Sequence, residues 1–216
     1  MRGWRFGPRK PPAAALLAIF TTMSACAPPE PPAAEPAPRV MMFLGDSFTV
    51  GSGPVPPSET YASETARLMG ARPVIAGASG TGYVNEGRVG RTFERSFEVE
   101  LAWRPAPDLL VISGGHNDRR WRPARVRAAA DRLLAKVRAH WPGTDVVVVG
   151  PLFMGEPPRR AYAVRDVLAR AAQDGGVTFA DPMTRRWPPA TALRDGVHPT
   201  HAGHELIAAW LAAELA

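Results

Sequence analysis

Ser47 follows the apolar run Val40 to Leu44 through a Gly45-Asp46 pair, and near the other end of the chain Asp195 stands three residues before His198. A serine hydroxyl is a weak nucleophile until a base removes its proton, and a histidine serves best as that base when a carboxylate fixes its tautomer. Ser47, His198 and Asp195 supply these three parts. A tight bend at Gly196 would bring the Asp195 carboxylate to one ring nitrogen and leave the other facing the serine, while Pro199 restricts His198 to extended backbone. The chemistry open to such a set is acyl transfer from an ester through an acyl-serine.

A tetrahedral intermediate needs hydrogen-bond donors aimed at its oxyanion. The backbone amides of Ser47 and Gly80 and the side-chain amide of Asn117 are the candidates, since glycine lets the backbone approach a ligand and asparagine donates without changing charge. Alone, Ser47 reads equally as a turn serine that caps the next segment. Ser79 sits in a glycine-rich turn, but no second acid and histidine remain to serve it. No serine lies in a Gly-x-Ser-x-Gly elbow, which argues against the α/β-hydrolase scaffold.

His198, His201 and His204 recur at intervals of three, but Pro199 interrupts the run before one helix face could align them. His201 is expected to be exposed, His204 structural, and neither a metal nor another cofactor is expected. Asp46 and Asp118 either brace the site or cap turns, and Asp181 before Pro182 reads as a turn residue. Tyr83, Asn85, Trp121, Phe153 and Trp187 follow strand exits or lie in loops near them; they either line a substrate cleft or pack the surface.

Short apolar runs alternate with segments of helical period from Arg39 onward, the pattern of an α/β fold with a parallel sheet. Five strands are expected: Val40 to Leu44, Pro73 to Ala76, Leu109 to Ser113, Val146 to Val149, and Val177 to Phe179. A first helix, capped by Ser58 and ended by Gly70, would align Tyr61, Thr65, Leu68 and Met69. A second is expected over Arg91 to Trp103. The clearest stripe is Val126, Ala130, Leu133, Leu134, Val137 and Trp141; Ala161, Val164, Leu168 and Ala171 form another, and a last helix spans His201 to Leu215. Helices on both faces of the sheet make a three-layer α/β/α sandwich with five parallel strands. Open parallel sheets bind ligands at the carboxyl ends of their strands, and the polar clusters that carry the candidates all follow strands.

Taken together, Gly45-Asp46-Ser47, Gly80, Gly115-His116-Asn117-Asp118 and Asp195-Gly196-Val197-His198 resemble the four sequence blocks of the SGNH hydrolase family, the GDSL-type esterases and lipases. Phe48 stands where leucine is usual. The resemblance implies a flavodoxin-like sandwich and metal-free ester hydrolysis. It further implies Ser47 as nucleophile, Asp195 and His198 completing a triad, and Gly80 and Asn117 in the oxyanion hole. Acyl transfer to a second alcohol would use the same residues, and a binding protein that kept the fold without the activity is the reading from another class.

The 216 residues suffice for one well-buried domain. The net charge of +6 owes much to Arg2, Arg5, Arg9 and Lys10, without which the remainder is close to neutral. No basic stripe points to nucleic acid. Those four cations, the apolar run Ala13 to Phe20 and Met23-Ser24-Ala25-Cys26 form a signal-peptide pattern over residues 1–25. Met23 to Cys26 resembles a bacterial lipoprotein cleavage box, with Met23 in place of the usual leucine; Ala25-Cys26-Ala27 also fits ordinary signal peptidase, the second reading. Residues 26–38 read as an anchor cysteine and a Pro/Ala-rich tether, and 39–216 as the hydrolase domain. The expectation is an exported protein, lipid-anchored at Cys26 on the outer face of the cell membrane or else secreted, whose partner is an acyl ester on a glycan, a lipid or a small molecule.

Overall fold

The computed structural model describes residues 37–216. The expected signal segment, Cys26 and all but the last two residues of the tether lie outside the described residues. Five parallel strands, β1 (Val40–Gly45), β2 (Arg72–Gly77), β3 (Leu109–Ser113), β4 (Asp145–Val149) and β5 (Thr178–Ala180), form one sheet in the order β2-β1-β3-β4-β5. The helices are α1 (Ser47–Val50), α2 (Tyr61–Leu68), α3 (Phe93–Ser96), α4 (Pro123–His140), α5 (Arg159–Gly175) and α6 (His201–Glu214). This is the expected flavodoxin-like sandwich.

Strand side chains alternate between faces, so β1 sends Met42 and Leu44 to one core and Met41 and Phe43 to the other. The first core is closed by Phe93 and Phe97, by Val126, Leu133 and Val137 of α4, and by Val164 and Leu168 of α5. The second is closed by Tyr61 and Ala66 of α2 and by Ile207, Ala208 and Leu211 of α6. Burial on both faces explains why the inner strands read as continuous apolar runs rather than alternating ones.

Two elements differ from the sequence expectation. The helix expected over Arg91 to Trp103 begins at Phe93 behind Thr92, then widens into a π-helical turn over Phe97–Leu101 and leaves Trp103 exposed. The widening keeps Phe93, Phe97 and Leu101 all in the core. Ser58 does not cap α2. It lies in a 3-10 turn, Pro57–Glu59, and α2 starts after Thr60, which makes no side-chain cap. The buried face of α2 is Tyr61, Ala62, Thr65 and Ala66, so Leu68 is 48% exposed.

The missing cap is supplied from another helix. The Tyr61 amide donates to His204 Nδ1 at 3.0 Å, and the imidazole stacks on the Tyr61 ring with centroids 6.2 Å apart. Burial pushes the His204 pKa down from 6.5 to about 4, so near neutrality the ring is uncharged and Nδ1 is free to accept. Since the folded value is depressed, this contribution is complete above about pH 6.5 and is lost as pH falls towards about 4. His204→Phe keeps a stacked ring but orphans the Tyr61 N–H. It is expected to cost about 1–3 kcal/mol near pH 7 in urea unfolding. The gap between parent and variant should narrow on acidification to about pH 4.5, since only the parent carries this histidine's linkage.

Candidate active site

At the end of β1 a Cβ on Gly45 would sit 2.0 Å from Thr49 Oγ1, so only glycine lets the chain turn directly into α1. Asp46 caps that single turn by accepting the Phe48 amide at 3.0 Å, which makes Ser47 its first residue. Among the described residues neither the Ser47 nor the Gly80 amide has a protein acceptor. Phe48, the departure from leucine, lies buried between His116 and His198, with ring centroids 5.6 and 5.7 Å away. It is a packing surface for both imidazoles.

After β5 the chain makes two 3-10 turns, Pro182–Thr184 and Pro189–Thr191, and then a narrow loop pinned at its base. Leu193 N donates to His198 O at 2.7 Å and Thr200 N to Thr191 O at 2.8 Å. At its tip Gly196 has φ +66°, a left-handed turn that folds the Asp195 carboxylate back over the loop. Asp195 Oδ1 accepts the amides of Val197 and His198 at 2.9 and 3.0 Å, and Oδ2 faces His198 Nδ1 at 2.6 Å. The opposite ring nitrogen, Nε2, is 2.9 Å from Ser47 Oγ. The hydrogen bond from His198, followed by the two backbone amides, pulls the Asp195 pKa from 3.8 to about 2. An ionised carboxylate on Nδ1 keeps the proton there and leaves Nε2 to accept from the serine hydroxyl.

The β3 exit supplies the other half of the site. Asn117 Nδ2 lies 2.9 Å from Thr81 O and 3.2 Å from Asp46 Oδ2, which orients its amide towards the strand ends. Asp118 is fully buried and accepts three consecutive amides, those of Tyr83, Val84 and Asn85, each at 2.9 Å. Gly82 fits against the same carboxylate, since a Cβ there would stand 2.3 Å from Asp118 Oδ2. The two readings of these acids therefore resolve differently: Asp118 braces the loop that carries Gly80, whereas Asp46 both caps α1 and holds Asn117. Burial raises both carboxyl pKa values, that of Asp46 to about 7, against the pull of the amides they accept.

The expected cleft residues separate. Tyr83 is 2% exposed and packed on Phe93 at 5.2 Å between centroids, so it belongs to the core. Asn85 donates to Gly80 O and accepts from Trp121 Nε1 at 3.3 Å; Trp121 is partly exposed beneath the Arg125 guanidinium, 4.4 Å from its ring. Phe153 packs at a tilt against His116, 4.4 Å between centroids, and with it lines a pocket of about 170 Å³ that reaches Gly196 and Val197. Trp187 packs its ring on Trp210 and lines a cleft of about 780 Å³ that is bordered by Arg194 and Gly196 of the triad loop.

Sequence reasoning gave His116 no role. It sits between Gly115 and Asn117 with Nδ1 2.9 Å from Leu152 O, and burial depresses it to about 4, so its neutral ring ties the β3 exit to the β4 exit. Its place inside the Gly115 to Asp118 cluster was the available signal. Ser79 is exposed without a histidine partner, Asp181 caps the Pro182 turn and pairs with Arg165, and exposed His201 meets Glu59 at 2.9 Å.

The model of the GDSL-like Lipase/Acylhydrolase family matches residues 43–206. A curated relative, the GDSL lipase Rv0518 of Mycobacterium tuberculosis, is 31% identical over 181 residues, covering 76% of each chain. Among solved structures, an aryl esterase of M. smegmatis matches with TM-score 0.67 and 21% identity, over 82% of this chain and 98% of that one. A family two carbohydrate esterase of Clostridium thermocellum, solved with cellohexaose, matches with TM-score 0.72 and 23% identity, over 83% of this chain and 65% of that one. These two likenesses are of fold.

The brace at Asp118 has a direct consequence for the loop it holds. Asp118→Asn replaces one acceptor oxygen by a donor, so at least one of the Tyr83, Val84 and Asn85 amides loses its partner. A loss of about 1–3 kcal/mol in unfolding free energy is expected. Hydrogen exchange of those three amides should accelerate more than exchange in β3; uniform acceleration would assign Asp118 to global stability alone.

Proposed function

Because the chain belongs to the GDSL-like lipase/acylhydrolase family and is an ester hydrolase, we propose that Ser47 is its nucleophile, in an enzyme that acts on carboxylic acyl esters outside the cytoplasm. The observation that carries this reading is the continuous relay from Asp195 Oδ2 to His198 Nδ1 at 2.6 Å and from His198 Nε2 to Ser47 Oγ at 2.9 Å.

In the first half-reaction His198 Nε2 takes the hydroxyl proton as Ser47 Oγ attacks the ester carbonyl. The imidazolium that forms is paired with the Asp195 carboxylate. Negative charge on the carbonyl oxygen is met by the Ser47 and Gly80 amides, and by Asn117 Nδ2 when one of its two N–H groups turns from Asp46 Oδ2 or Thr81 O to the oxyanion. Collapse of the intermediate breaks the carbon–oxygen bond to the alcohol, which leaves with the proton from His198. Water then enters, His198 takes its proton, and attack on the acyl-serine releases the acid and restores Ser47. The acyl group is borne on a carbohydrate, a lipid or a small alcohol.

Export is supported by the four N-terminal cations, the Ala13 to Phe20 run and Cys26, followed by a Pro, Ala and Glu spacer. A mature chain beginning at a lipidated Cys26 would hold the site away from the outer face of the membrane. Expressed in a bacterial host, the full chain should yield a protein whose N-terminal peptide carries diacylglycerol on Cys26. Cys26→Ser should release it from the membrane fraction, and an unmodified Cys26 would favour free secretion.

Hydrolysis of a chain-length series of 4-nitrophenyl esters tests the mechanism. Ser47→Ala and His198→Ala are each expected to lower kcat at least about 10³-fold with melting temperature retained, and the double variant should be little worse than either single one. Asp195→Asn should lower kcat by about 10²- to 10⁴-fold, because an amide does not hold the proton on Nδ1. A parent that folds, hydrolyses none of the esters and fails to react with a phosphonate probe would refute the assignment.

A further inference from the structure

The cleft of about 780 Å³ beside the triad loop is lined by Arg185, Arg186 and Arg194 together with Trp187, Tyr162 and Glu156. It reaches the site through Gly196, the residue that turns Asp195 onto His198, and shares Met154, Gly155, Glu156 and Gly196 with the smaller pocket under His116 and Phe153. Two observations set it apart. The three guanidinium groups are exposed and, among the described residues, form no ion pair, although eight of the twelve ion pairs found involve other arginines. The lining holds a single acid, Glu156; of the carboxylates beside it, Asp195 is committed to His198 and Asp181, which accepts the Met183 amide, to Arg165.

Three like charges around one concavity repel one another, and low-dielectric walls concentrate their field. The apolar walls come from half-buried Trp187, held edge-on against Trp210, and from Tyr162, Met154 and Met183. Pro188 and Pro189 next to Trp187 stiffen the segment on which Arg185 and Arg186 stand, which limits the ordering cost of binding. Such a cleft suits a molecule with an apolar or ring-shaped body and an anionic substituent, because guanidinium forks carboxylate and phosphate oxygens in the same bidentate geometry.

We infer that this cleft holds the alcohol portion of the ester and selects an alcohol that carries a carboxylate or phosphate group. The inference rests on the esterase reading above and adds the substrate class. Arg185, Arg186 and Arg194 are specificity-determining residues: among the described residues their side chains make no hydrogen bond to Asp195, His198 or Ser47, and they act on recognition of the leaving group.

The test uses acetate esters differing in one substituent: methyl 4-acetoxybenzoate, which is neutral, 4-acetoxybenzoate and 4-acetoxyphenyl phosphate. For each anionic ester the kcat/KM ratio to the neutral ester is measured in the parent and in the Arg185→Ala/Arg186→Ala/Arg194→Ala variant. Comparing the two proteins removes the intrinsic difference in leaving-group reactivity. The ratio is expected to fall about tenfold in the variant, while kcat/KM for the neutral ester stays within about twofold, and added salt should lower the parent's ratio more than the variant's. Replacement of the three arginines by lysine should restore part of it, more for phosphate than for carboxylate if bidentate pairing is what carboxylate requires. The larger of the two falls identifies the anion. Ratios that are the same in parent and variant would overturn the inference while leaving the esterase standing. A parent inactive on all three esters would count against the esterase reading instead. The cleft is then judged by tryptophan quenching with phenyl phosphate and 4-hydroxybenzoate, where quenching that the alanine variant does not weaken overturns it.

Discussion

The parallel ladder ends in a single row, Gly77, Gly45, Ser113, Val149 and Ala180, each paired with its neighbour across the sheet. All the reactive groups depend on that alignment. In a parallel sheet every strand leaves by the same edge, so the Ser47 turn, the Gly80 loop, the Asn117 turn and the Asp195 to His198 loop are delivered to one face whatever their separation in sequence. A shift of one residue in any of these pairings would move an exit by about 3.3 Å and turn its side chains to the opposite face. That distance exceeds the 2.9 Å between Ser47 Oγ and His198 Nε2. Two apolar cores, one on each side, specify the register by requiring Met42 and Leu44 on one face and Met41 and Phe43 on the other.

Above that row the loops are held by buried polar groups rather than by apolar packing alone. Asp118 accepts three amides, Asp46 caps α1 and meets Asn117, and His116 joins two strand exits through the Leu152 carbonyl. Burying such groups is costly, because desolvation disfavours their charged forms and pushes both carboxyls up and His116 down. The geometry they impose is what a transition state requires, because donors already in place need no reorganisation when charge develops. Asp195 differs. It lies at an exposed loop tip, and the hydrogen bonds it accepts outweigh desolvation, so it remains ionised where the relay needs a carboxylate.

Much of this was legible one-dimensionally. The four inner and edge strands from Val40 to Val149 stand where their apolar runs lie, and α4 and α5 follow stripes whose spacing matches the helical period. The tight turn at Gly196 follows from a glycine placed between two residues that must meet. Local signals failed where a distant partner took over a local task. Ser58 had the side chain for a cap, but the amide it would have served is bound by His204, 143 residues away. Tyr83 lay in the right loop for a cleft, but Phe93 and the Asp118 brace draw it inward.

The sequence by itself determined the residue types capable of acyl transfer, their order along the chain, and the alternation of strand and helix that sends them to one edge. These depend on side-chain chemistry and on periodicity, both local properties. Only the tertiary structure decided which acid braces a loop, which histidine is a cap or a strut, which aromatic rings face solvent, and that three arginines without an ion pair among the described residues gather around one cleft. Each of those outcomes is a contact between segments far apart in sequence, and its energy depends on distance and burial, which exist only once the sheet has brought the segments together.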